Sequence, residues 1–395
     1  MTFEYIDSQN KKNRVLLDNN YQATDKWESI LTTTKLEFIQ KFIPAFKSQQ
    51  KIVLFDANHK QLLQFYTQND INNLQGVEKL SNQIKLLFFT SGSSGFPVGA
   101  FKSIQNLESE VAALKKIVSK RAIKKVVVTV PFVHIYGVLA GLLLPLSLGD
   151  VNLVVKEDFL PYELLEEVKD EDTLVVTTPV FIKALAKVST ELSLKNALFI
   201  SSTGPLSPED IESFTTKYET DIMQIFGSTE TGGIAYKFNQ DERWKPLESV
   251  HIKSKDEKLN ISSDFVSPFL LKEKIETLHQ PYQTEDVVEI EEDGFKLLGR
   301  SNKLIKIAGK RISALQIEKI LEEIPEINRC IVELIYKKEL LRSEQILITI
   351  EATNRVQKRV LKEKISQYYG IITIPFNLKY VDKINYSSMG KKVIF

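Results

Sequence analysis

Three short segments concentrate side chains able to handle phosphate, sugar and a hard metal ion. The first is "LLFFTSGSSGFPVGAFKS", Leu86–Ser103, where four apolar residues run into Thr90, Ser91, Gly92, Ser93, Ser94 and Gly95. Hydroxyls and open backbone N–H groups just after a strand make a nest for phosphate, because the donors converge and the glycines leave room. Read alone, the same text is equally a Ser/Gly turn. A Walker-type NTPase is excluded because no Gly-Lys-Ser/Thr follows Gly95. A serine hydrolase is excluded because no Gly-x-Ser-x-Gly elbow with triad partners is in view. Where a lysine is expected, just after Pro97, stands Val98.

The second segment is "IFGSTETGG", Ile225–Gly233. Phe226 offers a face for a base, Thr229 a hydroxyl for a phosphate, and Glu230 a carboxylate for Mg²⁺. In isolation it also reads as an ordinary turn with a solvated glutamate. The third is "YQTEDVVEI" with "GRSNKLIKIAGKRIS" after it, carrying Asp286 and Arg300. A carboxylate at a strand start can accept two hydrogen bonds from a ribose diol, and a guanidinium can pair with the sugar or a phosphate. The alternative is a solvated basic hairpin face. The chain ends in "SSMGKKVIF", where nothing local singles out Lys391. His134, in "VPFVHIYG", reads as a core or pocket-wall residue, and His59, His251 and His279 have no metal-ligand spacing around them.

These segments need a scaffold, and the pattern supplies one. From Ile84, Val/Ile/Leu-rich strands alternate with helical stretches: "IKLLFFT", "KKVVVTV", "VNLVV", "TLVVTT", "ALFISS" and "DIMQIF" are the strands. Ile104, Leu107, Val111, Leu114 and Val118 mark one face of the first helix. Such alternation predicts parallel sheets covered by helices on both faces, with ligands at the C-terminal ends of the strands. The unusual loops after Phe89, Ile200 and Ile225 all lie at such ends. Past Gly232 short strand-like pieces predict a small antiparallel unit, and from Ser301 helices and alternating strands resume. The fold class expected is α/β: a large N-terminal domain over residues 1–300, with a shortened polar part (1–80) and a β-rich subdomain (233–300). A small α+β C-terminal domain over residues 301–395 follows it.

Composition narrows the function. The chain has 395 residues, 52 basic and 51 acidic, for a net charge of +1, and 43% of its residues are apolar. A nucleic-acid binder or a membrane-surface binder would carry a basic excess. Cys330 is the only cysteine, so a disulfide framework and a cysteine metal cluster are both excluded. The longest apolar run, Val138–Gly149, falls short of the about 20 residues a bilayer span needs. The start shows no signal peptide, and the expected location is the cytoplasm.

Taken in order, the segments resemble the adenylate-forming superfamily of acyl- and aryl-CoA synthetases, peptide-synthetase adenylation domains and luciferases. Its Thr-Ser-Gly-Ser/Thr-Thr-Gly-x-Pro-Lys-Gly loop is matched by Thr90–Gly99, and its Tyr-Gly-x-Thr-Glu by Phe226–Glu230. Its Thr-Gly-Asp is similar to Thr284–Asp286, its hinge motif to Gly299–Ile312, and its final Gly-Lys to Gly390-Lys391. The resemblance implies that a carboxylate attacks the α-phosphate of ATP-Mg²⁺ to give an acyl-adenylate and pyrophosphate. A thiol of CoA, or of the phosphopantetheine on an acyl carrier protein, then takes the acyl group. It also implies that Thr90–Gly95 hold the β- and γ-phosphates. Gly204 and Pro205 would border the adenine, Phe226 with Gly227 would lie against it, and Asp286 and Arg300 would hold the ribose. Thr229 would meet the α-phosphate, Glu230 the Mg²⁺, and Lys391 the developing charge. Asn302 would be the hinge and Gly309 would face the thiol tunnel. His134, Tyr136 and Gly137, with Ser201, Ser202 and Thr203, are the candidates for the acyl pocket.

Val98, Asn302 and Glu285 depart from the family pattern, and the phosphate loop starts early in the chain. Short stand-alone members of acyl-carrier-protein pathways resemble this chain further, in a Lys-Ser shortly after the loop and a Leu-x-x-Glu helix. On that likeness Lys102 would supply the cation that Val98 cannot. The alternative is a degenerate member that binds a nucleotide or acyl ligand without ligating it.

Overall fold

The computed structural model describes residues 2–17, 20–32, 34–54, 64, 70–90, 98–300, 304–307, 310–336, 344–369, 376–386 and 392–393. The chain divides into two units, one of Met1–Ile252 with Ile261–Tyr282, the other of Lys253–Asn260 with Gln283–Phe395. No helix among the described residues is long and apolar enough to cross a membrane.

The first unit holds a nine-stranded and a six-stranded sheet. Six neighbouring strands of the larger sheet run parallel, in the order Asp221–Ser228, Ala197–Ser201, Thr173–Thr177, Lys125–Val128, Asn152–Lys156 and Thr2–Ile6. Thr173–Thr177 and Ala197–Ser201 are buried at every position, as expected of strands covered on both faces. The crossover helices Pro161–Val168, Pro179–Ala186 and Pro208–Tyr218 each carry proline in the first turn, where its fixed φ suits the helix and no N–H bond is lost. Phe199, Phe214 and Tyr218 form the aromatic centre of the core on that side.

The six-stranded sheet runs Ile275–Thr277, Phe269–Leu271, Val98–Ser103, Ile84–Thr90, Lys51–Leu54 and Trp27–Ile30. Here the parallel expectation holds only in part. Ile84–Thr90 is parallel to Lys51–Leu54, but Val98–Ser103 returns antiparallel beside it with Thr90 opposite Val98. A strand, Val98–Ser103, therefore comes between Ile84–Thr90 and the helix that follows. The helix Ile104–Val118 then starts from a reciprocal cap: Ser103 Oγ accepts from Asn106 N at 3.0 Å, and Asn106 Oδ1 accepts from Ser103 N at 2.8 Å. Its buried Leu107, Val111, Leu114 and Val118 are the face that the spacing predicts.

In the second unit, Tyr282–Glu291 and Gly294–Arg300 form an antiparallel hairpin within a four-stranded sheet. Further along, the antiparallel pair Ile327–Tyr336 and Glu344–Ala352, with Phe376–Tyr380 parallel to the latter, packs with the helices Ala314–Glu322 and Lys358–Tyr369. Cys330 is buried in that core, and burial pushes its thiol pKa up, which disfavours the thiolate.

Candidate active site

The segment Ile225–Gly233 folds as the tip of a β-hairpin. Asp221–Ser228 pairs antiparallel with Gly232–Phe238, Gly227 opposite Gly233 and Ser228 opposite Gly232. That leaves Thr229, Glu230 and Thr231 as the turn. Ser228 and Thr231 close it: Ser228 N donates to Thr231 Oγ1 at 3.0 Å, and Thr231 Oγ1 donates to the Gly232 carbonyl at 2.7 Å. Thr229 and Glu230 are half-buried at its crest. The strands can approach this closely because Gly227 has no side chain, since a Cβ there would lie 2.2 Å from the Gly232 carbonyl oxygen. Phe226 packs against Trp244, with ring centroids 5.4 Å apart and planes 49° apart, and the ammonium of Lys237 lies 5.0 Å from the Trp244 centroid.

Two charged residues lie beneath the turn. Lys102, from Val98–Ser103, has no solvent exposure, and Glu110, from the following helix, has 4%. Lys102 Nζ donates to the carbonyls of Phe265 at 2.5 Å and Glu230 at 3.3 Å. Glu110 Oε1 accepts from Gly233 N at 2.7 Å. Burial lowers the Lys102 pKa and raises that of Glu110, while the attraction between them opposes both shifts. Lys102 thus directs its charge at the underside of the Glu230 turn.

At the neighbouring strand end, Ser202 Oγ donates to the Ile225 carbonyl at 2.9 Å, tying that end to the adjacent strand. Thr203 takes a left-handed φ of 79°, and Gly204 and Pro205 are exposed beyond it. Ser201 Oγ is buried without a hydrogen-bond partner. Tyr136 is buried, its hydroxyl shared between the carbonyls of Thr177 at 3.0 Å and Ile200 at 2.8 Å, and burial raises its pKa well above that of a free phenol. Gly137 lies so close to the chain that a Cβ would meet the Pro131 carbonyl oxygen at 2.1 Å. His134, half-buried, stands at the N-cap position of the helix that begins at Ile135, with no capping hydrogen bond from its side chain. Of these pocket candidates, Tyr136 and Gly137 are spent on holding the strand ends and the helix start together.

Asp286 and Arg300 face each other across the hairpin of the second unit, Oδ1 to Nε 3.6 Å, the carboxylate side chain 15% exposed and the guanidinium 51%. Burial raises the Asp286 pKa against the pull of Arg300 and the Thr284 hydroxyl. Glu285, which departs from the family glycine, pairs with Lys258 at 2.9 Å. Ser91, Gly92, Ser93, Ser94, Gly95, Asn302, Gly309 and Lys391 lie outside the described residues, and Thr90 is described in its backbone alone. Among the described residues no three His, Cys, Asp or Glu side chains are grouped to cage a metal. A single carboxylate such as Glu230 suits Mg²⁺, which keeps its waters and leans on substrate phosphates.

Sequence reasoning passed over Ser267, whose N donates to the Glu230 carbonyl at 2.8 Å, and Trp244. Glu110 carried a signal: it lies three residues past Leu107 and beside Val111, on the apolar face, where a charge needs a buried partner.

Comparison with known proteins agrees with this architecture. The chain is 26% identical over 255 residues to the 4-coumarate–CoA ligase of Cereibacter sphaeroides, 63% of this chain and 56% of that protein. It thus spans little more than half the length of that relative. In fold it is similar to ATP-bound MatB from Rhodopseudomonas palustris, with a TM-score of 0.77 at 14% identity over 98% of this chain and 93% of that one. It is also similar to the O-succinylbenzoate–CoA synthetase MenE of Bacillus subtilis in complex with ATP and magnesium, with a TM-score of 0.75 at 15% identity over 93% and 88%. The model of the AMP-binding enzyme family matches residues 22–259, a span that takes in the hairpin of the phosphate-loop segment, the strand ends and the Thr229–Glu230 turn. By that match the chain belongs to the AMP-binding enzyme family.

Proposed function

We propose that the protein activates a carboxylic acid with ATP, forming an acyl-adenylate and pyrophosphate, and passes the acyl group to a thiol of CoA or a carrier protein. The observation that carries this reading is the closed turn of Thr229 and Glu230 at the end of the parallel strands, within the family match. Adenylate formation asks the protein for positioning and charge neutralisation more than for a covalent nucleophile. The Thr229 hydroxyl is assigned to the α-phosphate and Glu230 to Mg²⁺, which when bound supplies Lewis-acid neutralisation of phosphate charge. The nest of Thr90–Gly95 takes the terminal phosphates, Gly204 and Pro205 border the base with Phe226, and Asp286 and Arg300 take the ribose. Lys391 meets the charge that develops at the reacting phosphate. Residues 301–395 act as the mobile domain, with Asn302 at its hinge and Gly309 at the thiol tunnel.

The acid is aryl or aliphatic, to be found by screening a panel of carboxylates for acid-dependent ATP–pyrophosphate exchange, with CoA and a carrier protein offered separately as acceptors. Exchange with one class of acid, and thioester with one acceptor, is the expected result. Val98 in place of the family's lysine is the observation behind the rival reading, binding without ligation. Saturable ATP binding with no exchange against any acid would establish that rival and end the ligase reading.

A further inference from the structure

Lys102 and Glu110 are an expensive pair. Two charges taken out of water lose several kcal/mol of hydration each, and apolar side chains of similar size would fill the space as well or better. Their hydrogen bonds reach different backbone groups in and beside the turn, with Lys102 also donating to the Phe265 carbonyl. On one side of the turn, the Glu230 carbonyl receives Lys102 Nζ at 3.3 Å and Ser267 N at 2.8 Å. On the other, the Gly233 amide donates to Glu110 Oε1 at 2.7 Å. The carboxylate lies flush against the glycines: a Cβ on Gly232 would fall 2.5 Å from Glu110 Oε2, and one on Gly233 2.9 Å from Oε1. Gly232 also holds a φ of 70°, which any other residue would resist. Lys102 sits on Val98–Ser103, the strand that returns from the phosphate-loop segment, so the grip ties the two motifs together.

We infer that Lys102 and Glu110 are positioning residues that grip the backbone of the Thr229–Thr231 turn from both sides, holding Thr229 and Glu230 preorganised for a nucleotide triphosphate. The assignment of the nucleotide rests on the function proposed above, while the grip itself rests on the geometry. It gives Lys102 a task other than direct contact with phosphate. Preorganised groups stabilise charge without reorganising at the moment of reaction, so loosening the turn should act on kcat more than on KM.

The test compares the full chain with Lys102→Met/Glu110→Leu and with Glu110→Gln. Melting temperature, amide hydrogen exchange of residues 228–233 without ligand, and acid-dependent pyrophosphate exchange are measured for each. The double variant is expected to melt at or above the wild-type temperature, because apolar replacement removes two buried charges. Its amides from Thr231 to Gly233 should exchange at least about tenfold faster, and kcat should fall about 10- to 100-fold with a smaller change in the KM for ATP. Glu110→Gln keeps an acceptor but loses the charge, so Gly233 exchange should rise only several-fold. Wild-type protection and kcat in the double variant would reduce the pair to a core ion pair and overturn the inference. Should the double variant fail to fold, unchanged protection at Gly233 in Glu110→Gln overturns it instead. If the wild type shows no exchange with any acid while the variants still lose protection, the ligase reading fails and the grip stands.

Discussion

Replacing Gly227 by alanine tests the turn at its narrowest point. The new Cβ would lie 2.2 Å from the Gly232 carbonyl oxygen, 2.9 Å from Gly233 Cα and 3.0 Å from the Gly232 carbonyl carbon. All three neighbours are backbone, so no side chain can rotate aside. Against an ordinary contact of 3.4 Å the shortfall at the oxygen is about 1.2 Å, and the hairpin must open by about that much. Overpacking of this kind typically costs about 1–3 kcal/mol of stability. The larger effect is expected on the reaction, because a 1 Å misplacement of a reacting group can cost about 100-fold in rate. Acid-dependent ATP–pyrophosphate exchange gives kcat and KM, and a thermal melt of the same sample gives stability. We expect Gly227→Ala to stay folded, melt a few degrees lower and lose about two orders of magnitude in kcat/KM. A wild-type kcat/KM in a folded Gly227→Ala protein would refute the claim that the spacing of this hairpin places Thr229 and Glu230 for chemistry.

Asp286 takes up its proton at a higher pH than an ordinary aspartate, because burial disfavours its charge. The KM for ATP should therefore rise on acidification before the usual carboxylate range is reached, and Asp286→Asn should show a KM roughly tenfold higher that no longer follows pH; identical pH profiles for both proteins would remove Asp286 from the ribose. Lys391→Ala should abolish pyrophosphate exchange while melting like the wild type, and a retained exchange rate would reassign the developing charge to another group. Its neighbour Lys392 bonds Glu318 at 2.9 Å, Glu322 at 2.6 Å and the Cys330 carbonyl at 3.0 Å. Lys392→Met strands those acceptors and should destabilise the second unit by roughly 2–3 kcal/mol, read as a lower denaturant midpoint. Burial lowers the pKa of Lys35 from 10.5 to about 8. Between those values the unfolded chain binds more protons, so stability should climb with pH there, by roughly 3 kcal/mol at most. Urea midpoints of Lys35→Met should lack this rise.

The parallel strands and their helices were legible because a strand buried on both faces must be apolar throughout, and the helix Ile104–Val118 because its face repeats every three to four residues. The strand Val98–Ser103 was missed, since its Gly99 and Lys102 interrupt an apolar reading although Lys102 is itself buried. Thr2–Ile6 was missed as well. Its partners are Lys12–Leu16 and the distant Asn152–Lys156, and pairing across some 150 residues leaves no local mark. The order of motifs singled out Thr229, Glu230, Asp286 and Arg300 as candidates, because the chemistry proposed for them is carried by residue type and spacing. What holds them did not show, because it consists of backbone carbonyls and amides that every residue possesses. Tyr136 illustrates the difference: a tyrosine beside a predicted pocket suggests a ligand contact, yet its hydroxyl is taken by the carbonyls of Thr177 and Ile200.

The missing lysine at Val98 can now be placed in a wider economy of charge. Lys102, the nearest substitute in sequence, is fully buried and committed to the carbonyls of Phe265 and Glu230. Lys392, beside the terminal motif, is committed to Glu318 and Glu322, whose charges hold its pKa up against the lowering effect of burial. Each of these cations bonds within or beside backbone next to a candidate residue, the Glu230 turn in one case and the strand Lys392–Val393, which follows Lys391, in the other. A buried cation bonded to carbonyl oxygens is in a poor position to meet phosphate, since reaching out would strand those acceptors and expose the counter-charge of Glu110 or Glu318. On the function proposed above, phosphate binding on the loop side would fall to backbone and hydroxyl donors, as in a nest without a lysine. On the function proposed above, the lysine charge for the reaction is assigned to Lys391, and Lys391→Ala is the variant that tests whether adenylate formation depends on the C-terminal segment.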